Sequence, residues 1–225
     1  MTSIISSLSI NQIKTLSTAT IANFTSSDIA ALSTGQITQF KQDQIGQLTT
    51  DQVKALGTQQ IQALEAAQVR GLTTSQMSAL STDQLSALTT AQAKTLSATQ
   101  VNALSSTQIA SIETTDLAAL AGTTTAGMST DSVKALSSGQ VASLTASQLR
   151  SLSATQLNAI DTADLANMGT SQLVQLTADQ VAGLSTAQLD AMTTAQFSAL
   201  DARQVSGMTT AQVASLSTDK IKSLT

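Results

Sequence analysis

Reactive side chains in this chain are confined to hydroxyls, carboxylates, amides and a few cations, because its 225 residues include neither histidine nor cysteine. Without them the usual zinc, haem and thiol-nucleophile constellations cannot be assembled. Serine and threonine are abundant, yet no histidine is present to activate one of them. In such number they are expected to be helix caps and solvated surface. Asp43, Asp51, Asp83, Asp131, Asp179 and Asp219 carry oxygen ligands of the kind calcium takes, but they lie in separate segments without glycine-rich loops. They read as anions placed near helix N-termini, where the helix dipole favours them. Met128, Met168, Met192 and Met208 fall at a position otherwise filled by leucine, so they are expected to fill a core and not to bind metal. No catalytic, cofactor-binding or metal-ligating residue is assigned, and the chain is expected not to be an enzyme.

Charged residues make up 11% of the chain and the net charge is −4, so there is no basic field for a nucleic acid to bind. Aromatic residues are limited to Phe24, Phe40 and Phe197, which removes the groups that usually dominate binding hot spots. With 41% apolar residues in strict spacing the chain is nevertheless expected to fold. No stretch approaches the roughly 18 apolar residues that span a bilayer. The start, Met1-Thr2-Ser3-Ile4-Ile5-Ser6-Ser7-Leu8, lacks the basic head and continuous apolar run of a Sec-type signal.

The elements that carry these residues follow from a period of eight. Every residue numbered by a multiple of eight, from Leu8 to Leu224, is a large apolar one, and a second series three places earlier runs from Ile5 to Ile221, with only Ala93 small and Thr125 polar. The unit reads Ser/Thr, Thr, variable, Gln, Val/Ile/Leu, variable, Ala, Leu. Its first position is Ser or Thr in 20 of the 28 cases from residue 9 to 225, and its fourth is Gln in 20 of the 27 from residue 12 to 220. Ser/Thr-x-x-Gln is a capping box, in which each side chain serves the other's backbone N–H, so a helix start recurs in every octad. Asp51 with Lys54, Asp131 with Lys134 and Asp219 with Lys222 are spaced for pairing on one helix face. The remaining cations mostly occupy the sixth position and read as solubility charges.

A single continuous helix does not fit, because eight residues at 100° overshoot two turns by 80° and the apolar series would wind around the axis. The pattern predicts an all-α solenoid of very short capped helices, one per octad. A β-solenoid is the alternative, opposed by the excess of Ala, Gln and Leu and the confinement of β-branched aliphatics to one position. A seven-residue helix would be about 10 Å long and unstable alone, so stability must come from neighbours. Small residues at the seventh position, such as Ala55, Ala63, Gly71, Ala79, Ala87 and Ala103, would let successive helices approach closely.

No linker divides the chain, and residues 1–225 read as a single continuous array. Its weakest octad, Ala121-Gly122-Thr123-Thr124-Thr125-Ala126-Gly127-Met128, loses the cap, the glutamine and the aliphatic residue together. It reads as a drifted repeat held by its neighbours, or as a hinge or contact site. Neither terminus carries an obvious polar cap, and Thr225 opens a new octad, so the expectation is a segment of something longer or a subunit whose ends stack on other copies.

Leu80-Ser-Thr-Asp-Gln-Leu-Ser-Ala-Leu88 and Met208-Thr-Thr-Ala-Gln-Val-Ala-Ser-Leu216 resemble the Thr/Ala/Gln/Leu repeats of large bacterial surface or secreted proteins described as adhesins or haem-utilisation proteins. The resemblance implies an extracellular or cell-surface protein exported without a cleaved N-terminal signal. The chain has no His, Cys or Tyr to bind haem iron, and no cofactor is expected. The expected role is structural, as a filament built end to end from copies of itself or as an adhesin stalk, with the cell surface or extracellular matrix as further partners. The alternative is a binding module that recognises ice, glycan or a surface through Thr50, Thr74, Thr82 and Thr90.

The apolar series generates a first test. Leu104→Asp or Leu144→Asp is expected to cost roughly 3–5 kcal/mol by burying an unpaired charge, whereas Lys94→Ala and Arg150→Ala should change stability little. Equal shifts in urea midpoint for the two classes would show that the buried series is misassigned.

Overall fold

The computed structural model describes residues 5–224, apart from the side chain of Ser6. Met1–Ile4, on which part of the N-terminal reading rested, and Thr225, the start of a further octad, lie outside the described residues. A short 3-10 turn, Ile5–Ser7, is followed by one α-helix per octad, α1 (Ile10–Lys14) to α27 (Thr218–Ser223), and the described residues contain no strand. The protein is therefore an all-α repeat solenoid. Its helices span four to six residues, shorter than the seven that the octad could offer. The connection takes the rest, since the residue before each helix is extended, as at Thr73 (φ −74°, ψ 164°), and so is the eighth residue in octads such as 73–80, at Leu80 (φ −62°, ψ 139°).

The first position of every octad from Ser9 to Ser217 is the residue preceding the helix, as the capping pattern predicts. Thr73 is typical: its hydroxyl accepts the N–H of Gln76 at 3.3 Å. Where Lys41, Gly57, Glu65 or Ala121 occupies this place, that residue makes no cap bond through a side chain of its own, and the helix forms all the same. Packing, not capping alone, holds these turns.

Within each compact part of the chain, helices stack on the helix three places away. Thus α9 (Thr74–Ala79) packs on α6 (Thr50–Lys54) and α12 (Ala98–Asn102), and α24 (Thr194–Ser198) packs on α27. Polar side chains reach further, to the octad four places back, as described below. One turn of the coil therefore takes between three and four octads. The coil's interior holds both apolar series: the fifth position is buried from Ile5 through Phe197, and the eighth from Leu32 through Met192. Met128, Met168, Met192 and Met208 belong to this core.

Small residues at the seventh position do permit close approach, and the partner is three octads back in the chain. A Cβ on Gly71 would come 2.6 Å from the carbonyl oxygen of Gln42, and one on Gly207 would come 2.9 Å from the Ala178 Cβ. One on Gly183 would overlap the Ala154 Cβ. The three pairs are the same relation, seventh position against second, twenty-nine residues apart.

The chain divides into two compact units, Met1–Leu120 and Ala121–Thr225. The division falls where the degenerate octad begins. That octad still forms α15 (Gly122–Ala126), which packs on α18 (Ala146–Ser151), with Thr124, Thr125 and Met128 buried. Its interior tolerates threonine because the Thr125 hydroxyl donates to the Ala121 carbonyl one turn back, at 3.3 Å.

The glycine contacts generate a paired test. Gly183→Ala should destabilise by about 1–3 kcal/mol through overpacking. Gly35→Ala, where no atom lies within 4 Å of the added carbon, should stabilise by roughly 0.5–1 kcal/mol by removing backbone freedom from the unfolded chain. Thermal denaturation of the two variants checks both signs.

Candidate functional site: a glutamine that serves two coils

The octad's fourth residue is the third residue of its helix, where a capping-box side chain reaches back to the N–H of the cap. Gln76 does so, its Oε1 accepting from the Thr73 N–H at 2.7 Å. Its amide nitrogen has two protons left to donate. They go to the octad four places earlier: Nε2 donates to the Ile45 carbonyl at 2.8 Å and the Leu48 carbonyl at 2.7 Å. The side chain is 2% exposed. The Ile45 carbonyl, in the last turn of its helix, also accepts the Leu48 N–H at 3.1 Å, so the amide adds a second bond there, while the Leu48 carbonyl lies past the helix end and has no partner within it.

The same bonds recur in both units. Gln84 donates to Val53 and Leu56 at 2.9 and 2.7 Å, Gln180 to Leu149 and Leu152 at 2.8 and 2.6 Å, and Gln212 to Val181 and Leu184 at 2.9 and 2.7 Å. Sequence reasoning assigned this glutamine to local capping and did not foresee its burial or its reach. A signal was present. Glutamate serves a capping box equally well and gains from the helix dipole, yet none of the 27 fourth positions holds one. An amide can both accept from its own cap and donate to a neighbour, whereas an ionised carboxylate can only accept.

Departures from glutamine are compensated locally. Lys220 is 6% exposed, and its Nζ donates to the Leu189 carbonyl at 3.0 Å, to the Asp190 carbonyl, and to Asp190 Oδ1 at 3.2 Å. An ammonium thus replaces the amide on the same stretch of backbone, with a carboxylate beside it. Asp116 and Asp164 cannot donate, and each stands in an octad whose first residue, Glu113 or Asp161, is also acidic and makes no cap bond. Both accept instead from a hydroxyl three octads earlier: Thr90 Oγ1 to Asp116 Oδ1 at 2.7 Å, and Ser138 Oγ to Asp164 Oδ1. Among the described residues no buried side-chain nitrogen or oxygen lacks a partner.

The other residues singled out in the sequence stay dispersed. Asp43, Asp51, Asp83, Asp131, Asp179 and Asp219 are exposed at the second position of separate helices. No group of three or more acidic residues that could hold a metal occurs among the described residues. Asp51 and Lys54 approach to 3.9 Å on the surface. The expected Asp131–Lys134 and Asp219–Lys222 pairs do not close, because holding two long exposed side chains together costs as much as it gains. Thr50 and Thr74 lie on stacked helices, α6 and α9. Thr82 is on α10 (Thr82–Ser86) and Thr90 on α11 (Thr90–Ala93), which stack with other partners, so the four threonines do not form one row. No helix among the described residues is long and apolar enough to cross a membrane.

The model of the ALTTAQ repeat matches residues 21–58, 55–90, 109–146, 157–194 and 190–225. The chain belongs to the ALTTAQ repeat family. Residues 87–92, Ala-Leu-Thr-Thr-Ala-Gln, spell the repeat outright. In the ALTTAQ octad the leucine is the buried eighth position, the first threonine the cap and the glutamine the inter-coil donor. No curated protein matches the chain.

Gln76→Ala is expected to cost about 1–3 kcal/mol, because three backbone groups lose a partner. Gln76→Glu should cost more at neutral pH, since a buried carboxylate would face two carbonyl oxygens. Burial and those oxygens raise the folded-state pKa of the new carboxyl above its unfolded value, so the penalty is full above the folded pKa and relieved as pH falls through it. Urea denaturation at neutral and mildly acid pH should show the deficit shrinking on acidification. A pH-independent deficit would mean that the side chain does not sit between coils.

Proposed function

We propose that this ALTTAQ array is a structural, non-catalytic protein of the cell exterior, serving as the stalk of a surface adhesin or as a filament subunit. The observation that carries the reading is the two-sided glutamine. Octads with glutamine in fourth place donate backward through the amide and offer their own carbonyls forward, so both faces of a coil are complementary to any other coil built from the same octad. Such an array lengthens without redesign, either by further octads in one chain or by another copy set on its end. The likeness to repeats of bacterial surface proteins supports the location.

Inserting three or six consensus octads after Leu88 tests the reading. Small-angle scattering should give a constant increment in maximum dimension per insertion with an unchanged cross-section. Growth in all directions would overturn the stalk and filament role. Surface labelling of intact producing cells tests the location, and protein that is labelled only after lysis would refute it.

A further inference from the structure

The amide bridge has a receiving side, the carbonyl of the eighth residue, and octad after octad that carbonyl is taken up. Leu64, Leu72 and Leu80 accept from Gln92, Gln100 and Gln108 at 2.6, 2.9 and 2.6 Å. The carbonyl of Leu88, next in the series and in a buried residue, receives no hydrogen bond from the described residues. The residue in register to serve it is Asp116, 3% exposed, whose ionised carboxylate has no proton to give. The second unit repeats the arrangement. Met128 and Leu144 accept from Gln156 and Gln172 at 2.6 and 3.0 Å, whereas the carbonyl of Leu136 between them receives no hydrogen bond from the described residues, and the residue in register to serve it is Asp164.

Each of these places therefore gathers acceptors where the other octads pair an acceptor with a donor. At the first stand the Leu88 carbonyl, the Leu85 carbonyl in the last turn of its helix, and the Asp116 carboxylate, which accepts from Thr90 Oγ1 at 2.7 Å through Oδ1 and keeps further lone pairs. Glu113, exposed and without a cap bond, adds negative charge three residues earlier. The carbonyl end of a helix is also the negative end of its dipole, which favours a cation. One octad shows a cation in this setting within the protein itself: the Lys220 ammonium donates to the Leu189 carbonyl, thirty-one residues earlier as Leu85 is from Asp116, with Asp190 Oδ1 at 3.2 Å.

We infer that the carbonyls of Leu85 and Leu88 with the carboxylate of Asp116 form a calcium site, and that the carbonyls of Val133 and Leu136 with Asp164 form a second, the ion linking coils where the amide does so elsewhere. Aspartate is one methylene shorter than glutamine, and an ion that takes oxygens on two sides makes up the difference. Carbonyl and carboxylate oxygens suit calcium, which accepts six to eight of them in flexible geometry with water completing the shell, better than magnesium, which demands a strict octahedron. So few carboxylates place the dissociation constant roughly in the range 10⁻⁴–10⁻³ M. The inference does not depend on the cell-exterior role proposed above.

Calcium binding to the 225-residue chain is measured by equilibrium dialysis and titration calorimetry in sodium chloride buffer, with circular dichroism to establish that each variant is folded. Wild type is expected to bind two ions saturably. Asp116→Gln and Asp164→Gln, each of which restores the amide of the repeat, should remove one ion apiece, and the double variant should bind none. Saturating calcium should raise the thermal midpoint of wild type and leave that of the double variant unmoved. Asp43→Asn with Asp51→Asn, exposed carboxylates outside both places, should keep both ions. Wild type without saturable binding would overturn the inference. A double variant that still binds calcium would place the ions on surface carboxylates and overturn it equally.

Discussion

A helix of five residues leaves most of its backbone groups without an internal partner, and the 27 such helices of the described residues must satisfy them elsewhere. In this chain one side-chain amide carries that burden at both ends. Its oxygen takes the N–H at the start of its own helix, and its nitrogen supplies the carbonyls at the end of a helix four octads earlier, as in Gln76 with Thr73, Ile45 and Leu48. Because the side chain is buried, no water substitutes for either bond. Losing one would leave backbone groups unpaired in an apolar setting.

The requirement explains the pattern of tolerated change. Lysine replaces the amide at position 220 by donating with a longer arm, and it does so beside Asp190, which offsets the buried charge. Aspartate at 116 and 164 cannot donate, and there the direction of the bond reverses, with a hydroxyl from a stacked helix supplying the proton. The chain is more permissive at the cap itself, where glycine, lysine and glutamate occur without a side-chain bond. The glutamine oxygen still takes the backbone N–H of residues 41, 57 and 65 in those octads. A lost hydroxyl therefore leaves one bond of the box in place, whereas a lost amide would remove the link between coils.

A period of eight fits no whole number of helical turns, and that mismatch gives the ALTTAQ repeat its architecture. Two apolar positions in eight cannot form a stripe on a long helix, but they form a continuous interior when the chain turns after each short helix. Extended residues at the first position and around the eighth make that turn. Glycine at the seventh position leaves room where coils come close, as at Gly71, Gly183 and Gly207, and none of the described residues adopts a left-handed conformation.

The sequence by itself determined which residues start each helix, which two series are buried, and that no continuous helix could hold them, because capping chemistry and the periodicity of apolar residues are local properties. It also contained the sign that glutamine did more than cap, in the absence of glutamate at positions such as 76 and 84. Only the tertiary structure decided what the amide bonds to, since an acceptor twenty-eight residues away is not encoded by spacing within an octad. The same holds for the three-to-four-octad turn of the coil, the burial of Asp116 and Lys220, and the separation of Thr50, Thr82 and Thr90 onto different helix stacks. Each depends on how far the chain rotates between consecutive helices, and that angle is set by packing of the interior, which identical octads specify only collectively.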